Sequence, residues 1–277
     1  MPDILLDMKK VMFAYNSGGQ ALAGVDFAVE AGAFAAIVGR NGSGKTTLTR
    51  MAMSLIKPAS GTISFGGQDT AKLTPADMAR SIGYVFQNPD RQIFRDTVAK
   101  EVAYGPEQLA FTPEEINQSV AWALRVTGLT ELAGSFPRLL SRGQKQKVAI
   151  ASAIAMRPKM LILDEPTSGQ DPWDAQNLME LLTELNQQGI TILLVTHDME
   201  LIAKYVDRVT VLDSGNKVFD GKPSELFNGN HTINAWGLLP PTTVALGRQL
   251  AGITADNAEE LIKQVTTVIN RRKEDHA

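Results

Sequence analysis

Residues 4–38 fall into short β-branched or aromatic-rich runs separated by glycine turns. ILLDMKKVMFAY, GVDFAVE and FAAIVG each fit a strand. A glycine-rich segment follows, then a helix-period stretch, LTRMAMSLI, that stops at Lys57-Pro58. TISFGG and IGYVFQ predict two further strands. Between them LTPADMAR starts a helix, with Thr74 as cap and Pro75 at the first position. From about Asp90 to Ser141 helical patterns dominate. FTPEEINQSVAWAL carries Thr112 as cap, Pro113 first in the helix and Glu115 three residues after the cap. Ile116, Val120 and Leu124 then recur on one face. Beyond this, QKQKVAIASAIAM predicts a helix and MLILDEP a fully buried strand. PWDAQNLMELLTELNQQG predicts a helix from an Asp171 cap to a Gly189 stop, and ITILLVTH another buried strand. VDRVTVLDSGNKVFDG predicts a closing hairpin turning at Ser-Gly-Asn.

Strands alternating with helices imply an α/β fold around a mostly parallel sheet with right-handed crossovers. The domain expected over 1–221 has an antiparallel N-terminal β part and a helical insertion at about 90–141. Residues 222–277 read as a separate helical extension, with candidate helices in PPTTVALGRQLAG and ADNAEELIKQVTTVI. Leu261, Ile262, Val265, Val268 and Ile269 form an apolar stripe on the second. That stripe fits packing on its own chain and fits a dimer contact equally. RRKEDHA reads as a solvated tail.

Composition removes several function classes. The 277 residues carry 27 basic and 30 acidic side chains, a net charge of −3, so no basic excess drives phosphate-backbone contacts and nucleic acid is not an expected partner. There is no cysteine, which excludes disulfides and thiolate metal sites. The longest apolar runs, Ala33 to Gly39 and Ile190 to Val195, fall far short of the roughly 20 residues of a spanning helix. The first residues, MPDILLDMKKV, lack the pattern of a signal peptide. A membrane role is therefore expected to be peripheral, on the cytoplasmic face.

Gly39 to Thr46, GRNGSGKT, fits G-x-x-x-x-G-K-[ST] between a predicted strand and a predicted helix. Small residues let the loop curl until its N–H groups point at phosphate, and the helix start adds its own. Gly39, Asn41, Gly42, Ser43, Gly44, Lys45, Thr46 and Thr47 are the candidate nucleotide contacts. Lys45 supplies charge to the β- and γ-phosphates and the Thr46 hydroxyl can ligate Mg²⁺. In LILDE an apolar strand ends in two acids pointing to opposite sides. Asp164 is the candidate Mg²⁺ residue and Glu165 the candidate base for the attacking water.

Leu140 to Gln144, LSRGQ, opens the helix before the acidic strand. Here the chain resembles the ABC ATPases, whose signature is LSGGQ, and the resemblance runs to about Gly221. It implies a P-loop NTPase of ABC type using ATP and Mg²⁺. It places Tyr15 on the adenine, Gln87 of YVFQNP at Mg²⁺ and at the membrane partner, Asp171 of SGQD in the D-loop, and His197 of LLVTHD as the switch. It also implies that Ser141, Gly143 and Gln144 meet ATP held by a second ATPase packed head to tail. Taken singly, His197 reads as a structural histidine, Tyr15 as a strand residue and Ser-x-Gly-Gln as an ordinary capped helix. Arg142 replaces the first signature glycine and Gln170 the usual D-loop leucine. Arg142 is expected to be tolerated, adding charge near the nucleotide.

VFQNPDRQIF, TVAKEVAYGPEQL and GLLPPTTVALGRQL are similar to the energy-coupling-factor and cobalt-importer branch. That resemblance implies a transmembrane coupling protein, a small substrate-binding membrane protein, and vitamins or transition-metal ions as cargo. Other ABC importers, and soluble ABC ATPases acting on DNA or ribosomes, are the rival classes. The latter carry paired ATPase units or long coiled coils, which this chain lacks. A P-loop kinase leaves LSRGQ and His197 unexplained.

Overall fold

A computed structural model describes residues 3–15, 19–228, 233–251 and 263–267. In chain order the elements are β1 (Ile4–Ala14), β2 (Gln20–Glu30), β3 (Phe34–Val38), α1 (Lys45–Ala52), β4 (Ser60–Phe65), β5 (Gln68–Asp69), α2 (Pro75–Ala79) and β6 (Ile82–Val85). They continue as α3 (Val98–Gln108), α4 (Pro113–Val126), α5 (Arg142–Ala155), β7 (Met160–Asp164), α6 (Pro172–Gln187) and β8 (Thr191–Val195). The last are α7 (Met199–Tyr205), β9 (Arg208–Asp213), β10 (Asn216–Gly221), α8 (Pro223–Asn228) and α9 (Thr242–Ala251).

Two sheets form. The N-terminal one is antiparallel, in the order β2-β1-β4-β5. The larger runs β10-β9-β3-β8-β7-β6, parallel except for the β9–β10 hairpin. That hairpin turns on two residues, Ser214 and Gly215, both with positive φ (49° and 79°), as a type I′ turn requires.

β3 shows why a parallel strand reads as an unbroken apolar run. Phe34, Ala36 and Val38 face a core built with α5, α6 and α7. Ala35 and Ile37 face the other core, between this sheet, α1 and the antiparallel sheet. The helical insertion is closed by Val98 and Val102 of α3 and Ala123 and Leu124 of α4, all packed into the α5 core. Thr112 and Glu115 form the expected capping box at α4. α3 and α7 were not singled out in the sequence. Their signals are the caps: Thr97 accepts from Lys100 N, and Asp198 accepts from Glu200 N and Leu201 N.

Beyond residue 222, several of the described residues pack into the main core rather than beside it. Leu226 and Phe227 of α8 are fully buried, and Ile233, Leu238 and Val244 join the same cluster as α5 and β3. The Thr242 N–H also donates to Glu200 Oε1, 2.6 Å away. Of the second candidate extension helix only 263–267 are described, and they are helical; Leu261, Ile262, Val268 and Ile269 lie outside the described residues. Phe227→Ala is expected to cost about 3–5 kcal/mol. Denaturant unfolding should show this as a lower midpoint of the main transition. An unchanged main transition would mean that α8 folds as an appendage.

Candidate nucleotide-binding site

The loop after β3 is shaped by close backbone approach. Gly39 has φ 148°, and a Cβ there would overlap the Leu212 carbonyl oxygen of β9. Gly44 has φ 107°, and a Cβ there would lie 2.6 Å from the Ala21 carbonyl oxygen. Gly44 is also the N-cap of α1 and offers no side-chain acceptor, so the first N–H groups of the helix remain for a ligand. Lys45 Nζ reaches back to the carbonyls of Gly39 (2.7 Å) and Arg40 (2.9 Å), so the loop wraps its own cation. Burial holds the Lys45 ammonium below the usual lysine range, while the charges of Glu165 and Asp164 pull it back up. Ser43 Oγ is buried without a protein partner, which suits an oxygen-rich ligand.

The acid pair sits at the end of β7, with β8 between β7 and the loop strand β3. Asp164 is pushed above the usual carboxylate range, first by burial and then by the neighbouring Glu165 charge. Tyr84 on β6 donates to Asp164 Oδ2 at 3.4 Å and pairs with Thr49 Oγ1 at 3.2 Å. Burial first, and Asp164 next, push the Tyr84 phenol up to about 12. Glu165 has φ 50°, a left-handed conformation that costs roughly 1–2 kcal/mol in a non-glycine residue. Its N–H donates to Val195 O (2.8 Å), and its carboxylate meets His197 Nδ1 at 2.8–2.9 Å. The two adjacent carboxylates thus meet different partners, Tyr84 for Asp164 and His197 for Glu165.

Tyr15, Gly19, Ala21, Asn41, Gly42, Gly44, Lys45, Thr46, Thr47, Gln87, Asp164 and Glu165 line one cleft of about 450 Å³. An adjoining cleft of about 650 Å³ adds Gly39, Arg40 and His197, and is walled by the segment from Gly237 to Thr242. Tyr15 is half exposed, its hydroxyl 3.2 Å from Thr47 Oγ1 and its ring edge-on to Phe13. Sequence reasoning had missed Ala21, Arg40, Tyr84 and the Gly237–Thr242 wall. Arg40 lies inside GRNGSGKT and the wall opens GLLPPTTVALGRQL, while Tyr84 stands three residues before Gln87 on a predicted strand.

Ser141, Gly143, Gln144 and Asp171 line neither cleft. Ser141 caps α5, accepting from Gln144 N at 3.2 Å, while its own N–H donates to Gln144 Oε1 at 3.0 Å. Asp171 caps α6, accepting from Asp174 N at 2.8 Å. A Cβ at Gly143 would lie 2.9 Å from Asp174 Oδ2, so α5 and α6 approach closely there. Arg142 was expected to add charge near the nucleotide. Within its own chain the guanidinium lies against Gly169, where an added Cβ would sit 2.8 Å from the guanidinium carbon.

Asp164 binds its proton more tightly in the folded chain than in the unfolded one. Its ionisation therefore costs stability above the raised pKa, and this cost fades as pH falls through that value. Asp164→Asn should raise the melting temperature of the nucleotide-free chain at pH 7. The difference from the parent should narrow on acidification. A variant less stable at pH 7 would mean that the buried charge is compensated by partners other than Tyr84 and Lys45.

A glycine loop wrapped round a lysine at a helix head, facing paired acids from a nearby strand, defines a P-loop nucleotide-binding protein. Comparison with known proteins supplies the family. The model for the ABC transporter family matches residues 22–168, and a shorter match, to an AAA domain described as a putative AbiEii toxin, covers 136–203. A putative ABC transporter ATP-binding protein of Caldanaerobacter subterraneus is 38% identical over 260 residues; these are 94% of this chain but 46% of that protein. The energy-coupling factor transporter ATP-binding protein EcfA of Methanothermobacter thermautotrophicus is 37% identical over 256 residues, 91% of this chain and 82% of that one. Among solved structures, cbiO1 from Clostridium perfringens, part of the ABC transporter complex cbiONQ, superposes with TM-score 0.77 at 37% identity, covering 84% of this chain and 94% of that one. The ATP-binding cassette MJ0796, a dimer in a post-hydrolysis state bound to ADP and Pi, gives TM-score 0.71 at 29% identity over 79% of this chain and 99% of that one. This chain belongs to the ABC transporter family, as an ATP-binding, ATP-hydrolysing subunit.

Proposed function

We propose that this chain energises an energy-coupling-factor importer as one half of a head-to-tail ATPase dimer docked on a transmembrane coupling protein. The observation that carries this is the composition of the clefts. They gather the phosphate loop, both acids, Gln87 and His197, but not the Ser141–Gly143 turn. A second ATPase, identical or related, completes the site with that turn, whose exposed serine and helix N-terminus form a second phosphate contact. The dimeric state of MJ0796 supports the pairing. The names EcfA and cbiONQ support the transporter class, and with it a small substrate-binding membrane protein and a place on the cytoplasmic face of the cell membrane. The cargo class is vitamins or transition-metal ions.

In this reading Lys45 and the α1 N–H groups bind and orient the phosphates, and Tyr15 supports the adenine. Glu165 accepts the proton of the attacking water, while His197, bonded to Glu165, holds its carboxylate in place. Mg²⁺, when bound, offsets phosphate charge; the Thr46 hydroxyl, Gln87 and the Asp164 carboxylate are the hard oxygen donors fitted to hold it. Asp171 of one chain meets the nucleotide of the other.

Complementation tests the pairing. A Lys45→Ala chain and a Ser141→Arg chain, each inactive alone, should regain ATP turnover on mixing. The mixed dimer then contains one intact loop facing one intact turn. No recovery, with dimers present, would remove the shared site.

A further inference from the structure

Gln87 lies in an exposed loop just after β6 and lines both clefts. The residues after it form a tight module. Asn88 Oδ1 caps a 3₁₀ turn, Pro89–Arg91, by accepting from Asp90 N at 3.0 Å. Gln92 folds this turn back onto β6: its Oε1 accepts from Phe86 N (3.3 Å) and its Nε2 donates to Tyr84 O (3.4 Å). The turn presents Asp90 to α5, where Lys145 Nζ meets Asp90 Oδ1 at 2.8 Å. Lys145 is in the first turn of α5, and its N–H donates to the Ser141 carbonyl at 2.9 Å. One residue therefore holds the signature cap through its backbone and the Gln87 loop through its side chain.

Two physical points make this pairing informative. A lysine in the first turn of a helix opposes the helix dipole, so α5 itself gains nothing from it. And with Asp90 59% exposed, the pair is worth at most about 1 kcal/mol of stability. What remains is geometry: the contact joins a loop inside one nucleotide cleft to the turn that lies outside it.

We infer that Asp90 and Lys145 are positioning residues, a strut that conveys displacement of the Gln87 loop to the Ser141–Gly143 turn. The state of one chain's cleft thereby sets how its turn meets ATP on the facing chain. This rests on the shared-site reading above.

Charge exchange in the full-length chain tests it, through ATP turnover, ATP binding and thermal melting. Asp90→Lys and Lys145→Asp should each lower kcat about five- to tenfold, the lower range of site-to-site coupling. ATP affinity should stay near parental, and the melting temperature should fall by no more than about 2–4 °C. The double exchange should restore kcat, and Lys145→Arg should retain it. A merely structural contact would instead move the melting temperature and affinity with kcat. Parental turnover in the single variants, or a double exchange no better than either, would overturn the strut. If the Lys45→Ala and Ser141→Arg chains do not complement, the shared site itself falls. If they do and the exchange does not rescue, only the strut falls.

Discussion

Glu165→Gln should lower ATP turnover about 10²–10⁴-fold, the usual contribution of a positioned general base, while ATP binding persists. The substitution removes basicity and little else. The amide is nearly isosteric with the carboxylate, and its oxygen can still accept from His197 Nδ1, which lies 2.8–2.9 Å from the carboxylate in the parent. Phosphate affinity resides elsewhere, in Lys45 and the start of α1. Loss of one negative charge close to the phosphates should if anything tighten ATP binding. Phosphate release measured beside nucleotide binding checks both halves, and size-exclusion chromatography should show the ATP-loaded dimer persisting. Turnover near the parental rate would remove Glu165 as the base.

Lys45→Ala should weaken ATP binding about 10²-fold or more, the worth of one or two hydrogen bonds to a charged group. The nucleotide-free chain already shows what the ammonium does. It sits largely buried and donates to the Gly39 and Arg40 carbonyls. Phosphate oxygens are stronger acceptors, and their charge opposes the burial that lowers the Lys45 pKa. Equilibrium binding of a fluorescent ATP analogue measures this, with thermal melting as control for a collapsed loop. Retained affinity in a folded variant would mean that the N–H groups of α1 hold the phosphates without the lysine.

Much of this was legible beforehand because it is local. The phosphate loop, the Thr112–Glu115 capping box, the Asp171 cap and the Asp164–Glu165 pair are each specified by residues within a few positions of one another. α3 was obscured because Gly105 and Pro106, both poor helix formers, fall inside it. The extension after Gly221 read as separate because nothing local says that Phe227 enters a core whose other walls lie many tens of residues earlier. The place of Arg142 against Gly169 was hidden for the same reason, since α5 and the segment before α6 meet only in the folded chain.

The sequence by itself determined that this chain has a phosphate loop, an acid pair and a capped signature turn, because residue types at short spacing identify each of them and near-neighbour hydrogen bonds fix the cap. Only the tertiary structure decided which of them share a cleft. Strand order sets β8 between β3 and β7, so that Asp164 and Glu165 face Lys45, and leaves Ser141 at the head of a helix outside. That order follows from pairing and burying strands far apart in the chain, a choice settled by the packed core as a whole.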